Sequence, residues 1–224
     1  MTASVHIHRS AEAATEAAAA AAVEALIAAD TRAGRSRLAI PGGSALQAMR
    51  ALTAGLPGAV RRRLHLTWVD ERCVPLQDED SNRGAAARAG LLPVDCAAVL
   101  PLWWDEASPD VAVERVSSRL RGQFADGLDV ALLGLGEDGH IASLFPGRAA
   151  RAGTVAHVAD SPKPPAERMT LTLAMLQRAG LCVLLATGAS KRDALQRLRR
   201  GDASLPGSAL ARLQVYTDLE LEDA

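Results

Sequence analysis

The stretch LDVALLGLGEDGHIASLFPG, Leu128 to Gly147, opens with an apolar run from Leu128 to Leu133 and empties into a glycine-rich loop. A short, continuous apolar run bounded by glycine reads as a strand buried on both faces. The loop behind it carries one imidazole, His140, two residues after one carboxylate, Asp138. In an open α/β sheet, ligands bind outside the carboxyl ends of the strands, so this position offers the imidazole to a substrate. Histidine is also the side chain best matched to moving protons near neutral pH.

Outward from this strand, the chain alternates strands and helices. Val5 to His8 reads as a short strand, followed by a helix from Glu12 to Arg32 that Ser10 caps and Gly34 ends. Arg37 to Ile40 is a strand, PGGS at Pro41–Ser44 a turn, Ala45 to Leu56 a helix, and Leu64 to Val69 a strand that runs into Asp70-Glu71-Arg72. Beyond it, Val111 to Phe124 reads as helix, Leu181 to Ala186 as strand, Lys191 to Arg199 as helix and Gln214 to Thr217 as a closing strand. Strands separated by helices imply an α/β fold: a mostly parallel, Rossmann-like sheet with helices on both faces. The segment SPKPP, Ser161–Pro165, cannot be regular structure and is expected to be a loop.

The 224 residues are expected to form one domain over 1–224, with room for a small subsidiary lobe. Hydrophobic residues make up 49% of the chain and aromatics only 3%, so Ala, Leu and Val must fill the core. The net charge of −1 offers no general attraction to nucleic acid or an acidic membrane, and any anion must be caught by a local cluster. Cys73, Cys96 and Cys182 are odd in number and far apart, without a CxxC pair or zinc-ligand spacing, which suits a reducing compartment. With no secretory-type start and no 18-residue apolar span, the expectation is a cytoplasmic protein with neither nucleic acid nor membrane as partner, acting as a monomer or a dimer.

Several motifs invite chemistry, and each also has a plain structural reading. GLGEDG, Gly134–Gly139, matches a dinucleotide fingerprint, but Glu137 and Asp138 would place two negative charges where a pyrophosphate must sit. The glycines more simply allow positive φ and the close approach of a small ligand. His140 is either a loop histidine bonded to nearby backbone or a base whose other nitrogen Asp138 holds. PGGS is a tight turn with Ser44 as a cap, or a phosphate cradle of backbone N–H groups at Gly42, Gly43 and Ser44. Asp70 and Arg72 belong to a solvated charge run or project at the same sheet edge as His140. Asp80-Ser81-Asn82 reads as a helix cap. Arg168 and Lys191 are surface charges or anion ligands; Lys191 stands in TGASK, at a helix start that follows a strand. His6 and His8 alternate on a strand and are assigned to a solvent face.

Taken together, PGGS, TWVDERCVPLQDEDSNRG, LLGLGEDGHIASLFPG, SPKPPAERMTLTL and TGASKR, in this order between residues 41 and 192, resemble the 6-phosphogluconolactonase family. More broadly they are similar to the glucosamine/galactosamine-6-phosphate isomerase superfamily. The resemblance implies a pentose phosphate pathway enzyme that hydrolyses 6-phospho-D-glucono-1,5-lactone, a small sugar phosphate, without metal or organic cofactor. It suggests His140 as general base with Asp138 and Arg72 beside it in catalysis, and Gly42, Gly43, Ser44, Asp70, Arg168 and Lys191 around the substrate. The deaminase branch continues its GH motif with an acidic residue, whereas this chain places Phe145 there. Phe145 cannot shuttle the further proton that isomerisation needs, which favours lactone hydrolysis over amino-sugar-phosphate deamination. A non-catalytic sugar-phosphate sensor is the remaining alternative.

Overall fold

The computed structural model describes residues 3–92, 95–106, 108–124 and 127–222. In chain order the elements are β1 (Ser4–Ile7), α1 (Ala11–Ala33), β2 (Ser36–Ile40), α2 (Ala48–Gly55), α3 (Gly58–Arg61), β3 (Leu64–Trp68) and β4 (Asp70–Arg72). There follow α4 (Asn82–Arg88), β5 (Ala98–Leu100), α5 (Pro109–Gln123), β6 (Val130–Gly134), β7 (Val155–Val158) and β8 (Arg168–Leu171). The chain closes with α6 (Leu173–Gln177), β9 (Leu181–Leu185), α7 (Arg192–Arg199) and β10 (Leu213–Thr217).

The main sheet has seven strands in the order β1-β10-β9-β6-β2-β3-β5, every pairing parallel. β6 is central, with Leu38 of β2 opposite Val130 on one side and Leu181 to Leu185 of β9 in register on the other. Val130 to Leu133 are buried throughout, as a parallel strand covered on both faces requires. The edge strand β1 is exposed along most of its length and leaves Ile7 49% exposed.

Helix α1 shows how an alanine-rich sequence builds a core. Ala14, Ala18, Ala22, Leu26 and Ala29 recur at helical spacing and are buried, so small side chains let the helix lie close to β2, β6, β9, β10 and α2. The Ser10 hydroxyl accepts from the Ala13 N–H at 3.1 Å, and Gly34 ends the helix at φ 66°, its N–H donating to the Asp30 carbonyl. Among the described residues no helix is long and apolar enough to cross a membrane.

A second sheet, antiparallel in the order β4-β8-β7, departs from the alternation expected of the sequence. Asp70-Glu71-Arg72 is a strand of this sheet, paired through Arg72 with Arg168, where the sequence reading has a charged run after β3. β5, β7 and β8 are likewise not legible in the sequence, because they have three or four residues each, too few to show a period of two. The helix expected from Ala45 begins as a 3₁₀ turn over Gly43–Gln47, and the one expected from Lys191 is preceded by a 3₁₀ turn over Ala189–Lys191. His6 and His8 meet an aromatic neighbour across the parallel pairing: both stack on Tyr216, at 4.8 and 6.0 Å between ring centroids.

Candidate active site

The carboxyl ends of parallel strands lie at one edge of the sheet, so the turns after β2, β3, β6 and β9 converge there. They line a cleft of about 270 Å³ together with residues from the second sheet. Gly42, Gly43 and Ser44 come from the turn after β2, Asp70 and Arg72 from β4, His140 from the loop after β6, Arg168 from β8, and Lys191 from the turn after β9. Asp138 stands behind His140. All nine residues singled out in the sequence therefore meet at one site.

His140 and Asp138 form a close pair, Nδ1 to Oδ1 at 2.5 Å, and the same carboxylate oxygen accepts the His140 backbone N–H at 3.3 Å. A carboxylate at Nδ1 holds the ring proton there in the neutral imidazole and leaves the lone pair on Nε2. Burial works against ionising Asp138, but the hydrogen bond and charge of His140, with the charge of Lys163, outweigh it and hold the carboxyl below the usual carboxylate range. Gly136 makes the pair possible: a Cβ there would stand 2.0 Å from His140 Nδ1 and 2.5 Å from Asp138 Oδ1. Phe145 packs against the ring at 4.9 Å between centroids and is itself buried.

The three residues Asp70-Glu71-Arg72 divide as strand alternation dictates. The buried Asp70 carboxylate accepts from Ser143 Oγ at 2.7 Å and from Asn82 Nδ2 at 3.3 Å. Glu71 points away from the cleft and accepts from the backbone N–H groups of Arg72, Asn82 and Arg83 at 2.7 to 2.8 Å, closing the start of α4. Burial nevertheless pushes the Glu71 carboxyl up, against those three bonds. Arg72 donates through Nη1 to the Asp80 carbonyl at 2.7 Å, while its Nε is buried without a hydrogen-bond partner.

Arg168 is held more firmly than any other cleft cation. Its Nε donates to the Pro165 carbonyl at 3.0 Å, Nη2 to the Lys163 and Pro164 carbonyls at 2.9 and 3.1 Å, and Nη1 to Ser143 Oγ at 3.5 Å. The Ser161–Pro165 loop is thus wrapped around a buried guanidinium. Burial, then the neighbouring charge of Arg72, loosen that group's hold on its proton, and Asp70 and Asp80 oppose the change.

Two cleft residues, Asn82 and Lys163, and the buried Ser143 that bonds Asp70 have site roles that the sequence does not assign. Asn82 was legible only as a cap, and the cap is Ser81, whose Oγ accepts from the Gly84 N–H. The Asn82 amide instead donates to Asp70 and packs against the PGGS turn, where a Cβ on Gly42 would stand 1.8 Å from Asn82 Oδ1. Ser143 follows Ala142, whose φ of 50° turns the chain so that the serine reaches Asp70. Lys163 lines the cleft from the proline-rich loop. No sequence signal marks Ser143, and Lys163 carries only that of its proline-rich loop. Among the described residues, no group of three or more His, Cys, Asp or Glu side chains is placed to hold a metal ion.

Residues 9–217 match the family model described as glucosamine-6-phosphate isomerases/6-phosphogluconolactonase. The chain is 39% identical over 168 residues to the 6-phosphogluconolactonase of Mycobacterium tuberculosis, covering 69% of this chain and 68% of that protein. It is 35% identical over 184 residues to the probable chloroplastic 6-phosphogluconolactonase 3 of Oryza sativa; that match takes in 73% of this chain but only 56% of the rice protein's length. The crystal structure of a 6-phosphogluconolactonase from Shewanella baltica superposes with a TM-score of 0.83 at 20% identity, over 96% of this chain and 97% of that one.

Proposed function

The chain belongs to the family of glucosamine-6-phosphate isomerases and 6-phosphogluconolactonases, and on that premise we propose that it hydrolyses 6-phospho-D-glucono-1,5-lactone to 6-phosphogluconate. The observation that carries this reading is the Asp138–His140 pair, with Nε2 left on the side of a cleft that also holds Arg72, Arg168 and Lys191. His140 takes a proton from water as the water oxygen bonds to lactone C1. The proton then passes to the ring oxygen as the C1–O bond breaks. Asp138 stabilises the imidazolium between those steps, and general-base action of this kind contributes about 10²- to 10⁴-fold. Arg72 lines the same cleft and adds positive charge where the oxyanion develops. Gly42, Gly43, Ser44 and Lys191 receive the phosphate, whose binding energy fixes the carbonyl against the base, while Asp70 and Arg168 hold the cleft walls.

Two neighbouring chemistries fit the site less well. Deamination needs a further acid where Phe145 packs on His140, and a pure sensor has no use for an oriented carboxylate–imidazole pair. We place the reaction in the cytoplasm, on a free sugar phosphate, with the chain acting as a monomer or a dimer. Fresh lactone coupled to 6-phosphogluconate dehydrogenase, corrected for spontaneous hydrolysis, tests the activity. His140→Ala is expected to keep 6-phosphogluconate binding and lose about 10²-fold or more in kcat. Near-normal turnover by that variant removes His140 from the mechanism, and ammonia release from glucosamine 6-phosphate by the wild type moves the reading to deamination.

A further inference from the structure

The cleft holds a fourth cation, Lys163, that the roles above leave unused. Its backbone is tied down on both sides: Ser161 Oγ donates to the Lys163 carbonyl at 2.7 Å and accepts its N–H at 3.2 Å, and Arg168 Nη2 grips the same carbonyl. Of the five N–H groups of Arg168, four point at the carbonyls of residues 163 to 165 and at Ser143. Arg168 therefore has one N–H left for a ligand and acts chiefly as the anchor of the loop that presents Lys163. The Lys163 ammonium lines the cleft, half-buried, with no carboxylate within 4.0 Å among the described residues.

Its place in the cleft differs from that of Lys191. Lys191 enters with the 3₁₀ turn after β9, whereas Lys163 reaches in from the loop between β7 and β8 and is close enough to Asp138 for its charge to favour that carboxylate. The substrate carries charge at two ends, a phosphate on C6 and, as water adds, an oxyanion on C1. When the C1–O bond breaks and the acid loses its proton to solvent, C1 ends as a carboxylate.

Resting on the lactonase reading, we propose that Lys163 is a second catalytic cation for the C1 end, acting beside Arg72: it stabilises the oxyanion as it forms and then binds the product carboxylate, while Lys191 and the Gly43–Ser44 turn take the phosphate. Lys163→Gln and Lys163→Arg in the full chain test this with two readouts. One is steady-state turnover of fresh lactone. The other is calorimetric binding of 6-phosphogluconate beside glucitol 6-phosphate, which keeps the phosphate and replaces the carboxylate with an alcohol. Lys163→Gln is expected to lose about tenfold or more in kcat and about tenfold in 6-phosphogluconate affinity, with KM within about threefold of wild type. Glucitol 6-phosphate is expected to bind it as wild type, and Lys163→Arg to recover most of both losses. Unchanged kcat in Lys163→Gln, or equal weakening of the two ligands, overturns the assignment. A wild-type chain without lactone turnover removes the lactonase reading instead, and the two-ligand comparison then still decides whether Lys163 binds a carboxylate.

Discussion

His140 owes its orientation to a hydrogen atom on its neighbour, because any side chain at Gly136 would occupy the space of the imidazole Nδ1. Gly136→Ala is accordingly expected to leave the sheet folded and to lower kcat by about tenfold or more through displacement of the pair; wild-type turnover in that variant would show that the pair tolerates a shift. The carboxylate partner gives a pH dependence with a definite sign. Asp138 has its folded pKa depressed, so its stabilisation is present above the unfolded value of about 3.9 and is lost as pH falls through the folded value. The gap in melting temperature between wild type and Asp138→Asn should narrow between about pH 5 and pH 3; a constant gap would mean that Asp138 is not depressed. Asn82 is the third residue whose role is set by its contacts. Asn82→Ala strips Asp70 of its amide donor inside a buried network, at a cost of about 1–3 kcal/mol measurable by urea denaturation.

At the scale of elements, the site rests on the strands of the main sheet, which contribute no side chain to it. Leu132 lies wholly buried in the centre of β6, and Leu132→Ala is expected to cost about 2–5 kcal/mol through the cavity it opens. Because β6 ends in the loop that carries His140, a loss of kcat without a loss of stability in this variant would contradict the division between scaffold and site. The two sheets also explain how neighbouring residues separate. Asp70 and Arg72 face the cleft and Glu71 faces α4 because β4 is extended, with alternate side chains on opposite faces. Cys182, within β9, has its thiol pushed up to about 12 by burial. It should therefore resist alkylation at neutral pH in the folded chain and react once urea exposes it; rapid labelling in the native state would show that β9 opens.

Over the whole molecule, a cleft built from turns of both sheets couples ligand binding to global stability. A ligand that binds only the folded state, such as 6-phosphogluconate at about 100 times its Kd, is expected to add about 2.7 kcal/mol, seen as a rise in Tm that His140→Ala retains and Lys191→Ala diminishes. Equal stabilisation of the Lys191→Ala protein would take Lys191 out of the phosphate site. The parallel α/β sheet, the ends of α1 and the Asp138–His140 pair are legible in the residue order alone, because apolar runs, capping residues and a two-residue spacing are short-range signals carried by adjacent positions. That β4, β7 and β8 form a second sheet emerges from the folded chain, since strands of three or four residues acquire their identity from partners far along the chain. The fold also decides that Asn82 and Lys163 belong to the cleft, that the buried Ser143 bonds Asp70, and that Arg168 spends most of its hydrogen bonds on its own loop. Those roles follow from strand order: with β6 between β2 and β9, loops remote in sequence are brought to one edge, and no local pattern of residues encodes which of them will meet.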